Sequence, residues 1–462
     1  MNKLLRFDRP PETTMGNGRY YARFSQAEVF PAPVEGGIAY TWLFEAFDAD
    51  WFDDNSEPVN TDFFESYYER AELFLLELHI QPMEVRRFEP LPSIEQEVLE
   101  DDEGDEWLIF EAAPSRDGML GEGELGLTVY SNLYQPGIET SAKDIRRADA
   151  SVQAKLRRVV STDHIPDASE NDIDGALAGV ENTQIDWAVV YDVGQGNAIG
   201  FCNVQGSVQA YVDLGGGTLQ NAHTYPSALQ KFCFTKSPPI ILSHWDFDHW
   251  SSASRDKQSL TMAWVAPRQS VGPTHAALMT AIMSSGRLLL VPKTLQARWR
   301  GQLYLEICTG RGRNHSGIAL TLSEVQKGGG NLILFPGDAR YSCLPSFNST
   351  NKYSSVVAPH HGGDMRNHTA PCGVLQRCSR LAYSSGRGNS YGHPAFITRQ
   401  DHDKAGWPDP SITMRASHYP IRETQNRVSR PLGHVFLGWT NRTTAPALPC
   451  GGGFCQLQAQ QL

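Results

Sequence analysis

From residue 183 onward the chain is a succession of short apolar runs broken by polar or glycine-rich turns. "DWAVVYDVG", "AIGFCNV", "VQAYVDLG", "PPIILSH", "MAWVAP", "RLLLVP", "LYLEICTG", "GIALTLSEV", "NLILFPGD", "SSVVAPHH" and "RLAYSSG" each read as a strand. Between several of them lie stretches with helical spacing, such as "PTHAALMTAIMSSG". Strands with helices inserted between them predict an α/β architecture of two sheets packed face to face, helices outside. Several polar clusters stand where these strands end, and strand ends are where open sheets place their sites.

Residues 1–160 have a different texture and predict a separate α+β domain. "GIAYTWLFEAF" alternates and reads as a strand, whereas "FFESYYERAELFLLELHI" has helical spacing and reads as one long helix. "LEDDEGDE" is an acid run expected in a solvated loop, and "SAKDIRRADASVQAKLRRVV" (141–160) reads as a helix with a basic polar side. Residues 161–182 open on "STDHIPDASENDIDG", polar and acidic, and read as a linker. The expected organisation is an acidic domain over 1–160, the linker over 161–182, a catalytic domain over 183–400 and a basic extension over 401–462.

Charge sharpens this division. The chain has 462 residues and a net charge of −12, but residues 1–180 carry 37 acidic and 15 basic side chains, leaving 15 acidic and 25 basic for residues 181–462. An acidic half thus precedes a basic one. Either the basic half binds a polyanion, or the halves complement each other; the acidic half is also a candidate docking surface for a protein partner. No apolar run is long enough to span a bilayer, and "MNKLLRFDRP" lacks the apolar core of a secretory signal. The eight cysteines are scattered, without a C-x-x-C pair, so reduced thiols and a cytoplasmic location are expected, with a disulfide within "CGGGFC" as the alternative.

The chemistry is concentrated in "IILSHWDFDHW". In extended chain, residues two apart face the same side, so His244 and Asp246 can face one cation while Asp248 and His249 face a second. One loop does not close such a site. "LILFPGD" supplies Asp338 after a strand, and a carboxylate can bridge two cations; "SVVAPHHGG" supplies His360 and His361 after the next. Two divalent ions held this way suit phosphoryl transfer by metal-activated water, with no serine or cysteine nucleophile.

Taken in order, "YDVGQGNA", "YVDLGGG", "LSHWDFDH", "NHSGIALTL", "LFPGDA", "VVAPHHGG" and "NSYGHP" resemble the metallo-β-lactamase fold and, within it, the hydrolase domain of the ComEC DNA-uptake proteins. The resemblance covers about residues 185–400 and implies an αββα sandwich. It implies that His244 and Asp246 bind a first metal, Asp248 and His249 a second, and that Asp338 bridges them. It also implies that His361 is a ligand, with His360 at a phosphate and the reverse order left open, and that His393 binds phosphate or protonates the leaving oxygen. Asp248, His360 and His393 are accordingly the expected catalytic set. Asp213 is expected to brace the metal loop, and Asp192 to stand behind it in a tight turn. His315 lies near where many relatives place another metal histidine, whereas ComEC-like sequences usually have none there, so its role stays open. Asp246 replaces the second histidine of the commoner HxHxDH pattern, which implies a harder, manganese-tolerant site. Asn197 stands where relatives often carry Asp.

These readings converge on a Zn- or Mn-dependent nuclease or phosphodiesterase with nucleic acid as substrate. Its membrane helices absent, a soluble ComEC-like module is also reminiscent of bacterial anti-phage defence systems. The alternatives are a hydrolase of a small phosphodiester or ester, and a scaffolding component of a larger assembly.

Overall fold

A computed structural model describes residues 1–6, 17–31, 38–55, 64–80, 106–114, 124–229, 231–348, 350–365, 369–374, 376, 378–413, 416, 419–424 and 433–439. Most of the acid run, His418, Arg415, Arg427, Arg430, Arg442, Cys450 and Cys455 lie outside the described residues. The chain divides into two units, residues 1–166 with 270–284, and residues 167–269 with 285–462.

In the first unit, strands Gly18–Pro31, Ile38–Asp48, Leu73–Ile80, Leu125–Tyr130, Ile138–Arg147 and Trp107–Ala113 close, in that order, into an antiparallel barrel. The expected helix over residues 63–80 is only half helical. Phe64–Arg70 forms about two turns of helix, and Leu73–Ile80 is a strand. In that strand Phe74, Leu76 and Leu78 point into the barrel core, so the period changes from 3.6 to 2 at Ala71. The expected helix over 141–160 divides in the same way, into strand Ile138–Arg147 and helix Ala150–Val160. The strand is needed because the barrel closes only when Leu125–Tyr130 and Trp107–Ala113 share a partner.

This unit also takes in helix Pro273–Ser285 from the middle of the chain. Buried Glu45 receives its N-terminus: Oε1 lies 2.7 Å from His275 Nδ1, and Oε2 accepts the Thr274 N–H at 2.9 Å. A carboxylate suits the positive end of a helix.

The second unit is built on two seven-stranded sheets. The first runs Arg287–Val291, Ala263–Pro267, Ile240–Ile241, Val208–Leu214, Ala198–Cys202, Trp187–Val190, Val435–Gly438. The second runs Arg298–Arg300, Leu303–Ile307, Ile318–Val325, Gly329–Phe335, Ser355–Val357, Arg380–Tyr383, Ile421–Glu423. One apolar core joins their inner faces, containing Phe201, Val212 and Ile241 from the first and Leu320, Phe335 and Val357 from the second. Phe201 and Phe335 meet across it with ring centroids 5.1 Å apart. Part of the expected linker belongs to this core. Glu170–Glu181 is a helix opened by a Ser169–Asp172 capping box, and its Ile173, Leu177 and Val180 are buried at i, i+4 and i+7. Among the described residues no helix is long and apolar enough to cross a membrane. Cys202, Cys308, Cys343, Cys372 and Cys378 are free thiols. Cys233 departs from the expectation of reduced cysteines: it is disulfide-bonded.

Candidate metal centre

Parallel pairing brings the C-terminal ends of the relevant strands to one edge. Val208–Leu214 runs parallel to Ile240–Ile241 in the first sheet, and Gly329–Phe335 parallel to Ser355–Val357 in the second. Asp213, the 243–249 loop, Asp338 and the 360–361 turn therefore leave their strands in the same direction. The sheets close on each other here through the Ile318 N–H, which donates to the Ser243 carbonyl at 2.7 Å. A Cβ on Gly317 would stand 2.1 Å from that same carbonyl oxygen, and one on Gly215 would stand 1.6 Å from the Asp248 carbonyl. Only glycine admits so close an approach.

Asp213 organises the loop. It is fully buried and left-handed at φ 57°, a conformation that costs about 1–3 kcal/mol outside glycine and marks a position held by its surroundings. Its Oδ1 accepts the Ser243 N–H at 2.7 Å; its Oδ2 accepts the Ser243 hydroxyl at 2.9 Å, Asn197 Nδ2 at 2.9 Å and His249 Nδ1 at 2.8 Å. Asn197 is thus a donor, and an aspartate at that position would place two carboxylates together. Two imidazole tautomers follow. His249 gives its Nδ1–H to Asp213. Ser243, having given its proton to Asp213, accepts from His244 Nδ1 at 3.0 Å. Both rings then present bare Nε2 lone pairs to the same space.

That space is crowded with acceptors. His249 Nε2 lies 3.0 Å from Asp338 Oδ1 and 3.2 Å from His361 Nε2, and His361 Nε2 lies 3.0 Å from Asp248 Oδ2. Asp338 Oδ2 is 3.8 Å from His244 Nε2 and 3.7 Å from His361 Nε2. The buried His244 Nε2 has no hydrogen-bond partner. Among the described residues, two groups of side chains could each hold a cation: His244, His249 and Asp338, and Asp248, His249 and His361. His249 belongs to both, a more central position than expected from the sequence. Without a cation, protons must do the balancing. Burial disfavours a charged His249, but Asp338 and Asp213 outweigh it and hold the ring well above its ordinary value. Burial likewise opposes the Asp338 carboxylate, and His249, His361 and His244 hold it well below the carboxylate range. The donor set of imidazole nitrogens and carboxylate oxygens fits borderline or hard divalent ions.

The remaining expected residues divide. His361 is buried and within the second group, whereas His360 is half-buried, with Nε2 4.0 Å from Asp338 Oδ2. Both are left-handed, at φ 55° and 49°. His393 stands beside His360 with ring centroids 5.4 Å apart, and its Nδ1 lies 3.2 Å from Gln195 Nε2. Accepting from Gln195 leaves the His393 proton on Nε2. Burial, then His360 and His361, hold His393 well below its ordinary value, so it is a neutral hydrogen-bond donor. Asp246 is in neither group. Its Oδ2 is 3.3 Å from His244 Nε2 and its Oδ1 is 3.2 Å from Arg313 Nε. Burial opposes its charge, but Arg313 leads the effects that hold it well below the carboxylate range. His315 is buried at the end of the short helix Gly312–His315 and is also in neither group.

Three contributors escaped the sequence reading: Arg313, Gln195 and Ser243. Ser243 adjoins His244 just after a strand, and Gln195 lies in the glycine turn after Asp192; those places were their only signal. Arg313 had none beyond its place in "RGRNHSG".

Asp192 sits farther back. Its carboxylate accepts the Gly433 N–H at 2.8 Å, and its own N–H donates to His434 Nδ1 at 2.9 Å. His434 is completely buried, and burial lowers it to about 3. Its folded value is below the unfolded one of about 6.5, so below pH 6.5 the unfolded chain takes up a proton that the folded chain refuses. Stability should therefore fall as pH falls from about 6.5 towards 3. Between pH 6.5 and 5 this residue alone accounts for about 2 kcal/mol. Urea unfolding at the two pH values should show His434→Gln losing that much less than wild type; an identical loss in both would refute the assignment.

Neither a protein-family model nor a curated protein sequence matches the chain. Among solved structures, zinc-bound PqqB from Methylobacterium extorquens aligns with a TM-score of 0.23 and 8% identity, covering 37% of this chain and 72% of that one. A TM-score of this size does not establish a common fold.

Proposed function

We propose that the chain is a metal-dependent hydrolase of phosphodiesters, with nucleic acid as the substrate class and two divalent ions, Zn²⁺ or Mn²⁺, as cofactors. The observation that carries this reading is the convergence of His244, His249 and His361 Nε2 atoms on Asp338 and Asp248, with two of the tautomers set by one buried carboxylate. Lone pairs so arranged repel one another unless protons or cations lie among them, and two divalent ions would serve all of them at once. Two face-to-face sheets with the site at their shared strand ends fit a metallo-β-lactamase-like αββα sandwich of ComEC type. Bound ions would supply Lewis acidity and an activated water.

The chain's own residues then have distinct roles. His244, Asp248, His249, Asp338 and His361 hold the ions. Asp213 orients two of the imidazoles. His393, neutral and protonated at Nε2, donates a hydrogen bond to a phosphoryl or leaving oxygen, and His360 borders the same space. Among the described residues, the carboxylates of Asp213, Asp246, Asp248 and Asp338 stand at or behind the site, against the guanidinium of Arg313. Two divalent ions reverse that excess, which suits an anionic substrate. The basic balance of residues 181–462 supports a polymeric one.

The test uses full-length protein with Mn²⁺ or Zn²⁺ on bis-p-nitrophenyl phosphate, DNA and RNA. Wild type should turn over the diester, and an Asp248→Ala/His249→Ala variant should retain at most about a thousandth of that rate. Equal rates would defeat the reading. Nucleic-acid binding that does not weaken with salt would favour a small diester as substrate.

A further inference from the structure

Asp246 is the residue in which this loop departs from the histidine-rich pattern, and an added carboxylate ought to strengthen the cation position beside it. The structure compensates that carboxylate. Arg313 Nε lies 3.2 Å from Asp246 Oδ1, and both side chains are more than nine-tenths buried. Arg313 is also placed with care. Buried Gln269 donates to the Arg313 carbonyl at 2.7 Å and to Ser316 Oγ at 2.9 Å, while its Oε1 accepts the Trp245 N–H at 3.2 Å. One amide thereby ties the backbone of Arg313 to the residue between His244 and Asp246. Among the described residues no such cation is paired with Asp248, which faces His361 at 3.0 Å and His249 at 3.8 Å.

We infer that Arg313 makes the two cation positions unequal: by holding Asp246, it weakens the position at His244 and leaves the position at Asp248 and His361 as the tight one. This rests on the metal-binding reading given above. The physical reason has two parts. A carboxylate ion-paired with a guanidinium is partly neutralised and attracts a metal less, and a fixed positive charge repels a nearby divalent ion. Arginine suits this role because it stays charged when buried. Arg313 is thus a positioning residue, and the ion beside His244 is the exchangeable one.

Mn²⁺ binding to the full-length protein, followed by calorimetric titration and chelator competition, tests this. Wild type should bind one ion tightly and a second at least about tenfold more weakly. Arg313→Met frees the Asp246 carboxylate and should tighten the weak position about tenfold or more, with the tight position changed less than about threefold. Arg313→Lys should fall between. If Arg313→Met fails to fold with an uncompensated Asp246, the Asp246→Asn/Arg313→Met variant removes both charges and should bind the second ion more tightly than wild type, because the repelling charge is gone and the compensated carboxylate contributed little. Two equal positions in wild type, or a weak position indifferent to these changes, would overturn the inference. A wild type that binds no Mn²⁺ or Zn²⁺ would instead defeat the underlying reading.

Discussion

Asp338→Asn should reduce kcat/KM on bis-p-nitrophenyl phosphate by about a thousandfold or more, equivalent to about 4 kcal/mol of transition-state stabilisation. The size follows from where this carboxylate sits. One oxygen is 3.0 Å from His249 Nε2, and the other lies within 4.0 Å of His244, His361 and His360. Among the described residues it is the one carboxylate within 4.0 Å of His244, His249 and His361 alike. Asparagine keeps the shape, removes the charge and turns one acceptor into a donor aimed at bare imidazole nitrogens. If ions are held as proposed, the one at His244 and His249 would then lose its anionic partner. A binding readout separates this from a folding defect. Saturating Mn²⁺ or Zn²⁺ should raise the melting temperature of wild type, since an ion that binds only the folded state stabilises it by mass action. In Asp338→Asn that rise should vanish, while the metal-free variant should melt within a few degrees of metal-free wild type. A variant that keeps both the activity and the metal-induced rise would remove Asp338 from the centre.

Much of the site could be read from the sequence because its parts are local. His244, Asp246, Asp248 and His249 share one loop after a strand, and Asp338 and the 360–361 pair each follow an apolar run directly. Parallel strands then do the assembly, and strand ends need no further information to meet. What could not be read depends on distance in the chain. Arg313 reaches Asp246 across 67 residues, and only the contact between the two sheets brings them together. The double membership of His249 depends on where rings meet in space, which spacing does not report.

The barrel shows a second kind of limit. "FFESYYERAELFLLELHI" is rich in leucine and glutamate, both good helix formers, yet its second half pairs on both sides, with Ile38–Asp48 and Leu125–Tyr130. Tertiary pairing overrides local propensity there. Helix Pro273–Ser285 was legible as a helix, but its membership of the first unit was not, because Glu45 identifies itself as its partner only in the folded chain. One consequence concerns the acidic half. Cutting the chain at residue 180 would remove Glu45 and strip that helix of its partner, so a docking role for the acidic half is better tested by substitutions in the intact protein.

Asp213→Ala should be the most damaging single change to folding at the site while touching no substrate. The carboxylate accepts from the Ser243 amide, the Ser243 hydroxyl, Asn197 and His249, all buried. Alanine leaves those donors without acceptors in a space closed to water, and removes the anion that His249 faces. Losses for such deletions run to about 3–5 kcal/mol. Asp213→Asn is the more informative variant because it fills the same volume. Its amide nitrogen would face at least one existing donor, so Ser243 and His249 could not both keep their present partners. His249 could then rotate its tautomer and carry a proton at Nε2, where the lone pair should be. Affinity for Mn²⁺ should fall about 10- to 100-fold, as for other partners that orient a metal-binding histidine. The decisive measurement is imidazole nitrogen NMR on metal-free protein, which distinguishes the ring tautomers directly. Wild type should show His244 and His249 protonated at Nδ1, with any His249 imidazolium also protonated at Nε2, and Asp213→Asn should lose that Nδ1 preference at His249. Unchanged tautomers together with weakened metal binding would mean that Asp213 acts by charge alone, and that the hydrogen-bond chain through Ser243 does not set the centre.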